Sequence, residues 1–188
     1  MARAPRRRGR SGAVGRPHRD RSGDRAPALV ALDAVRPGAG VVGRTHRPTA
    51  AGDQVTLYLD ASALVAAVVE GRNRSVALDA LDADPDWCAS ALALTESLAL
   101  VPRLTDEVVL QDDVEDQLRL LWDRVAVVPI DQRCLDRAAQ ISREQPVHVS
   151  DAIHLAAADR LPRPVRFVTF DPAQIPVALA LGFNVVSS

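Results

Sequence analysis

The chain has 188 residues, with 23 arginines, no lysine and 24 acidic residues, for a formal net charge of −1. That near-neutral total averages two opposite parts and by itself predicts no partner. The absence of lysine excludes a Walker A phosphate loop, and no run of 18 apolar residues exists, so no segment is expected to span a membrane.

Residues 1–54 hold 12 arginines against Asp20, Asp24, Asp33 and Asp53, a net of +8. They carry 8 of the 10 glycines, 5 of the 13 prolines and no Phe, Trp or Tyr. No helical or strand period persists, so this basic segment is expected to be disordered, unable to bury enough apolar surface to offset its ordering entropy. It reads either as an arm that neutralises nucleic-acid phosphates or as the product of a misassigned start. The second is favoured: the all-arginine, Ala/Gly/Pro-rich string suggests GC-rich upstream DNA, with the true start at Val55 from a GUG codon. A targeting peptide fits poorly, because Asp33 and Arg36 interrupt the only candidate apolar core. Residues 55–188 hold 11 arginines and 20 acids, a net of −9, and suit one compact domain.

From Val55 onward, strands and helices are expected to alternate. A first apolar strand, 56–60, ends in Asp60, and a helix opens near Ser62 and runs to residue 70. A second helix covers about 74–83, followed by a short strand, 87–90. A long helical region begins at Leu92, is interrupted at Pro102, and resumes as DDVEDQLRLLWDRV, with Val114, Leu118, Leu121 and Trp122 on one face. The acids of that run read as a solvated face. Strand 125–130, helix 131–143 and helix SDAIHLAAADRL come next. Strand 165–170 then feeds Asp171-Pro172 and a last helix, which Gly182 stops before the closing strand FNVVS. Helices between short apolar strands imply βαβ units and a mainly parallel sheet. Cys88 and Cys134 lack Cys-x-x-Cys spacing and read as buried thiols of a reducing cytosol rather than zinc ligands.

Four acids stand apart. Asp60 ends the first strand, where open α/β sheets place their ligands. Asp171 ends another apolar strand, Asp151 heads SDAIHLAAA, and Glu96 lies inside ALALTESLALV among Leu92, Leu94, Leu98 and Leu100. Each has a plainer reading. Asp60, Asp151 and Asp171 can each cap a helix, with Pro172 at the first helical position after Asp171. A carboxylate at Glu96 is costly unless a cation or a hydrogen bond meets it. Taken together, four acids on elements that can converge at one sheet edge point to divalent-cation binding. Two carboxylates ~4 Å apart repel by about 4 kcal/mol at an effective dielectric of ~20, so such a cluster must protonate, spread or recruit cations.

The segments YLDASALV, ALTESLAL, VSDAIHLAAA and FVTFDPAQI together resemble the PIN domain and, within it, the VapC-type toxin ribonucleases of toxin–antitoxin modules. The resemblance covers nearly all of residues 55–188. It implies an α/β/α sandwich and a quartet of Asp60, Glu96, Asp151 and Asp171. It further implies that the quartet binds Mg²⁺ or Mn²⁺ for RNA cleavage, with Ser62 as a supporting polar contact. A cognate antitoxin and a homodimer follow from the same resemblance, and the two thiols fit an expected cytoplasmic location. Family members often carry a further acid where this chain has Ala173. A receiver domain also gathers acids at strand ends, but it resembles this chain less, since it implies a lysine in the site. A catalytically silent PIN-like module that captures a partner's arginines is the alternative function.

Arg72 and Arg74, beside Asn73, are the best candidates for phosphate contacts, with surface solvation the equal alternative. His154, three residues after Asp151, reads as a satisfied structural histidine before a ligand or general base. His148 lies in the loop before that helix and could approach substrate.

Overall fold

The computed structural model describes residues 55–188, and the expectations for residues 1–54 lie outside the described residues. The described residues form β1 (Thr56–Leu59), α1 (Ala61–Val68), α2 (Arg74–Ala83), β2 (Trp87–Ser90), α3 (Ala91–Leu104), α4 (Val108–Trp122), β3 (Ala126–Val128), α5 (Gln132–Glu144), α6 (Val149–Ala158), β4 (Val165–Val168), α7 (Gln174–Ala180) and β5 (Asn184–Val186). The strands make one sheet in the order β3-β2-β1-β4-β5. Every neighbouring pair is parallel, so the mainly parallel sheet expected from the sequence is wholly so.

The sheet has a helical layer on each face, and the alternation of β1 shows how. Leu57 and Leu59 pack into a core with apolar residues of α1, α2, α3 and α4. Tyr58, between them, packs into a second core with α5, α6 and α7. Both β1 leucines and the tyrosine are buried, as a central parallel strand requires. In the second core Phe167 stacks between Tyr58 and Phe183, with ring centroids 5.2 and 5.6 Å apart.

Strand order positions the site. From β1 the chain adds β2 and then β3 on one side, and later adds β4 and β5 on the other. The reversal falls between β1 and β4, and a crevice opens at such a point beyond the strands' carboxyl ends. Asp60 stands at its edge, its N–H still donating to Val168 O at 3.3 Å.

The boundaries near the two prolines differ most from expectation. Pro102 does not interrupt the third helix, which runs through it to Leu104. A proline in the last turn removes one backbone donor without ending the helix. The break falls at Thr105–Glu107, and α4 begins at Val108, earlier than the acid run suggested. Asp171 and Pro172 are not the N-cap and first residue of α7. Asp171 Oδ1 instead accepts from Ala173 N at 2.8 Å, a turn around its own side chain, and the helix starts at Gln174. Gly182 does stop α7, at φ +78°, with the Phe183 N–H returning to Ala178 O at 3.0 Å.

Phe167 is wholly buried between two rings. Phe167→Ala is therefore expected to destabilise the protein by about 3–5 kcal/mol in urea unfolding. A loss below about 1 kcal/mol would show that this stack does not organise the second core.

Candidate active site

All four acids predicted from sequence line one cleft of about 470 Å³ at the carboxyl edge of β1 and β4. Asp60 is its floor, 1% exposed. Its position caps α1, with Oδ1 accepting from Ala63 N at 2.8 Å and from Ser62 Oγ at 2.7 Å. Oδ2 accepts from Thr169 Oγ1 at 2.7 Å and Gln174 Nε2 at 3.2 Å. The capping reading thus holds, and the same residue lines the cleft. Burial pushes its carboxyl above the usual range, and the bonds from Thr169 and Ser62 offset part of that rise.

Asp151, on the first turn of α6, is also buried. Its Oδ2 accepts from His148 N at 3.3 Å, and its Oδ1 from Gln174 Nε2 at 3.3 Å. Burial raises its carboxyl, and the neighbouring charge of Asp171 adds to the rise. Asp171 lies half-buried beyond β4, its N–H donating to Thr169 Oγ1 at 3.1 Å.

Glu96 resolves the question of a carboxylate on an apolar helix. Its Oε2 lies 2.6 Å from His154 Nε2, and this bond holds the Glu96 carboxyl below the usual range. His154 is itself 1% exposed, with Nδ1 at 3.1 Å from Ser90 Oγ and 3.4 Å from Tyr58 Oη. Tyr58 Oη accepts from Ser90 N at 3.1 Å. The histidine is satisfied on both nitrogens, as the structural reading expected, and the group it satisfies is a member of the quartet.

Ser62 lines the cleft, but its hydroxyl is committed: it donates to Asp60 and accepts from Phe170 N at 2.8 Å. Arg72 and Arg74 are not brought to the acids. They line an adjoining groove of about 360 Å³, which shares Ser62 and Leu100 with the cleft, and Arg74 pairs with Glu70 at 3.5 Å. His148 and the exposed Arg103 line the cleft itself. Arg103 was legible in principle, since it follows Glu96 by seven residues, two turns along the same helix face. Thr169 and Gln174 carried only a weak signal, as polar residues flanking Asp171 on either side.

The donor set suits a hard divalent cation, which prefers carboxylate oxygens. Among the described residues no three Asp, Glu, His or Cys side chains are gathered into a ready-made metal cluster. What the structure gathers is a pair: Asp60 and Asp151 share the Gln174 amide nitrogen, while Glu96 is turned to His154.

A doubly wound parallel sheet with a carboxylate-lined cleft at its switch point defines the class. The chain belongs to the PIN-domain family, whose sequence model matches residues 57–178. PIN domains are generally nucleases, and those nucleases generally use divalent metal ions. In fold the chain is similar to FitAB bound to an IR36 DNA fragment, with TM-score 0.51 and 17% identity over 70% of this chain and 94% of that one. It is similar to VapBC2 from Rickettsia felis bound to a promoter DNA fragment, with TM-score 0.51 and 13% identity over 71% and 97%. A toxin–antitoxin complex from Klebsiella pneumoniae aligns at TM-score 0.48 and 20% identity over 63% and 89%. No curated protein sequence matches the chain.

The raised carboxyl of Asp60 gives a stability test in metal-free buffer. A carboxyl whose folded pKa lies above its unfolded value destabilises the native state at pH 7, and the penalty fades as pH falls through the folded value. Asp60→Asn is therefore expected to be at least as stable as wild type at pH 7 in EDTA, with its advantage shrinking as the pH is lowered. Thermal melts over a falling pH series would check this. A variant melting well below wild type at pH 7 would mean that the four donors need a full charge.

Proposed function

We propose that this protein is a divalent-cation-dependent endoribonuclease, the toxin of a toxin–antitoxin pair, acting in the cytoplasm. The observation that carries the reading is the cleft itself: a buried carboxylate at the switch point of a PIN fold, with three further acids on its walls. Asp60 and Asp151, with Glu96, would hold Mg²⁺ or Mn²⁺, and Asp171 would complete the site or orient water. The bound cation would supply an activated water and polarise the scissile phosphodiester.

The chain's own residues do the rest. Ser62, Ala63 N and Thr169 orient Asp60, and His154 fixes Glu96. Arg103 at the cleft is placed to meet a phosphate, and Arg72 and Arg74 in the adjoining groove could follow the RNA backbone. Such contacts matter because residues 55–188 carry a net of −9. The toxin reading is supported by the fold shared with FitAB and VapBC2. It brings with it a cognate antitoxin that covers the cleft, and a homodimer. Cys88 and Cys134 are buried free thiols, which suits a reducing compartment.

Incubation with RNA and Mg²⁺ or Mn²⁺ tests the activity. Wild type is expected to cleave, Asp60→Asn to lose at least about 100-fold in rate while remaining folded, and the cognate antitoxin to inhibit. Full cleavage by Asp60→Asn would sink the assignment. No cleavage by wild type, with the antitoxin still bound, would favour the silent interaction module.

The domain boundary is proposed at Val55. All six Phe, Trp and Tyr residues and all four acids lie beyond it. A fragment of residues 55–188 is therefore expected to fold and to cleave RNA. If residues 1–54 form a basic arm, the fragment should bind RNA more weakly and with a flatter salt dependence. An unfolded or inactive fragment would refute the boundary.

A further inference from the structure

Gln174, the first residue of α7, lies 3% exposed at the edge of the cleft and has no part in the quartet. Its Nε2 donates to two carboxylates at once, Asp60 Oδ2 at 3.2 Å and Asp151 Oδ1 at 3.3 Å. Both bonds sit at the long end of the N–H···O range, so the amide is a loose tie rather than a tight clamp. Its Oε1 is buried and accepts no hydrogen bond from the protein. Buried acceptors are ordinarily satisfied, so this oxygen is a group without a task in the arrangement as it stands.

The neighbours dictate the amide's orientation. Two carboxylates repel a carbonyl oxygen and attract the NH₂ group, so nitrogen faces them. A cation bound between Asp60 and Asp151 reverses that preference: it repels the NH₂ group and attracts the neutral oxygen. An amide is suited to both states, because a half-turn about its last side-chain torsion exchanges donor for acceptor with no change of shape.

We propose that Gln174 is a switching member of the cation site, bridging Asp60 and Asp151 through its nitrogen when no cation is bound and turning its carbonyl oxygen to the cation or its water when one is. The inference rests on the nuclease reading of the same cleft. It adds a neutral oxygen ligand beside the acids, from a residue that the quartet does not include.

The test measures Mn²⁺ binding to the full chain by isothermal titration calorimetry, alongside thermal melts in EDTA and in Mn²⁺, for wild type, Gln174→Met and Gln174→Glu. Methionine keeps the length and loses both polar groups. It should lower the melting temperature in EDTA and weaken Mn²⁺ binding by about tenfold, the lower end of what supporting groups around a metal contribute. Glutamate adds a third charge, so it should melt still lower in EDTA, yet bind Mn²⁺ about tenfold more tightly and gain more from it in the melt. A purely structural glutamine predicts the opposite for glutamate: lower stability with equal or weaker Mn²⁺ binding. That result, or affinities within twofold of wild type for the variants that fold, overturns the role of Gln174 and leaves the nuclease reading intact. Failure of wild type itself to bind Mn²⁺ overturns both. Either variant decides the matter if the other does not fold.

Discussion

The site depends on one buried charge. Asp60 is almost fully removed from water, where an unpaired carboxylate is prohibitively costly. Its oxygens are met instead by donors from three places: Ser62 and the Ala63 N–H on α1, Thr169 after β4, and Gln174 on α7. Those bonds span more than 100 residues of sequence and tie the helix that follows β1 to the chain that leaves β4. Ser62 adds a second tie by accepting from Phe170 N. The two walls of the switch point are thus fastened by the buried group at the crevice floor.

A second network sets the opposite wall. His154 on α6 reaches across to Glu96 on α3 with one nitrogen, and to Ser90 at the end of β2 with the other. Ser90 is also the N-cap of α3, its Oγ accepting from Leu92 N at 3.2 Å, and its own N–H is taken by Tyr58 of β1. The chain of contacts therefore fixes where α3 begins and where its carboxylate points. Ser97, one residue past Glu96, donates to Ala61 O and holds the same helix against α1. His154 thus holds the Glu96 side chain, while Ser90 and Ser97 hold the helix that carries it.

Much of this was legible in the sequence. Apolar strands ending in acids, separated by helices, led to a parallel sheet with its ligand edge at Asp60, because the strand period and the position of the breakers are local properties. The four acids were found because a carboxylate at a strand end or on an apolar helix is anomalous. Their partners were not. Thr169 and Gln174 meet Asp60 from 109 and 114 residues away, and a short polar residue near a loop carries no pattern that announces such a bond. The Asp171-Pro172 misplacement has a related cause. A cap and a side-chain turn use the same dipeptide and the same carboxylate, and only the Thr169 hydroxyl behind Asp171 N and the return bond from Gln174 N to Asp171 O distinguish them. Pro102 failed as a helix stop because it removes a single i→i−4 bond, while Ala93, Leu98 and Val101 hold the helix by packing into the first core.

The two networks leave the charges of the cleft in unequal condition. Glu96 has a histidine against it, and its carboxyl is held down. Asp60 and Asp151 have only neutral donors, burial raises both, and Asp151 feels Asp171 as well. The protein thus sets a histidine in hydrogen-bond contact with one carboxylate, while the other two take their hydrogen bonds from neutral donors. The pair whose hydrogen bonds come only from neutral groups, Asp60 and Asp151, is the pair that the Gln174 amide bridges. The four acids thus differ in their partners, which their spacing in the sequence does not reveal.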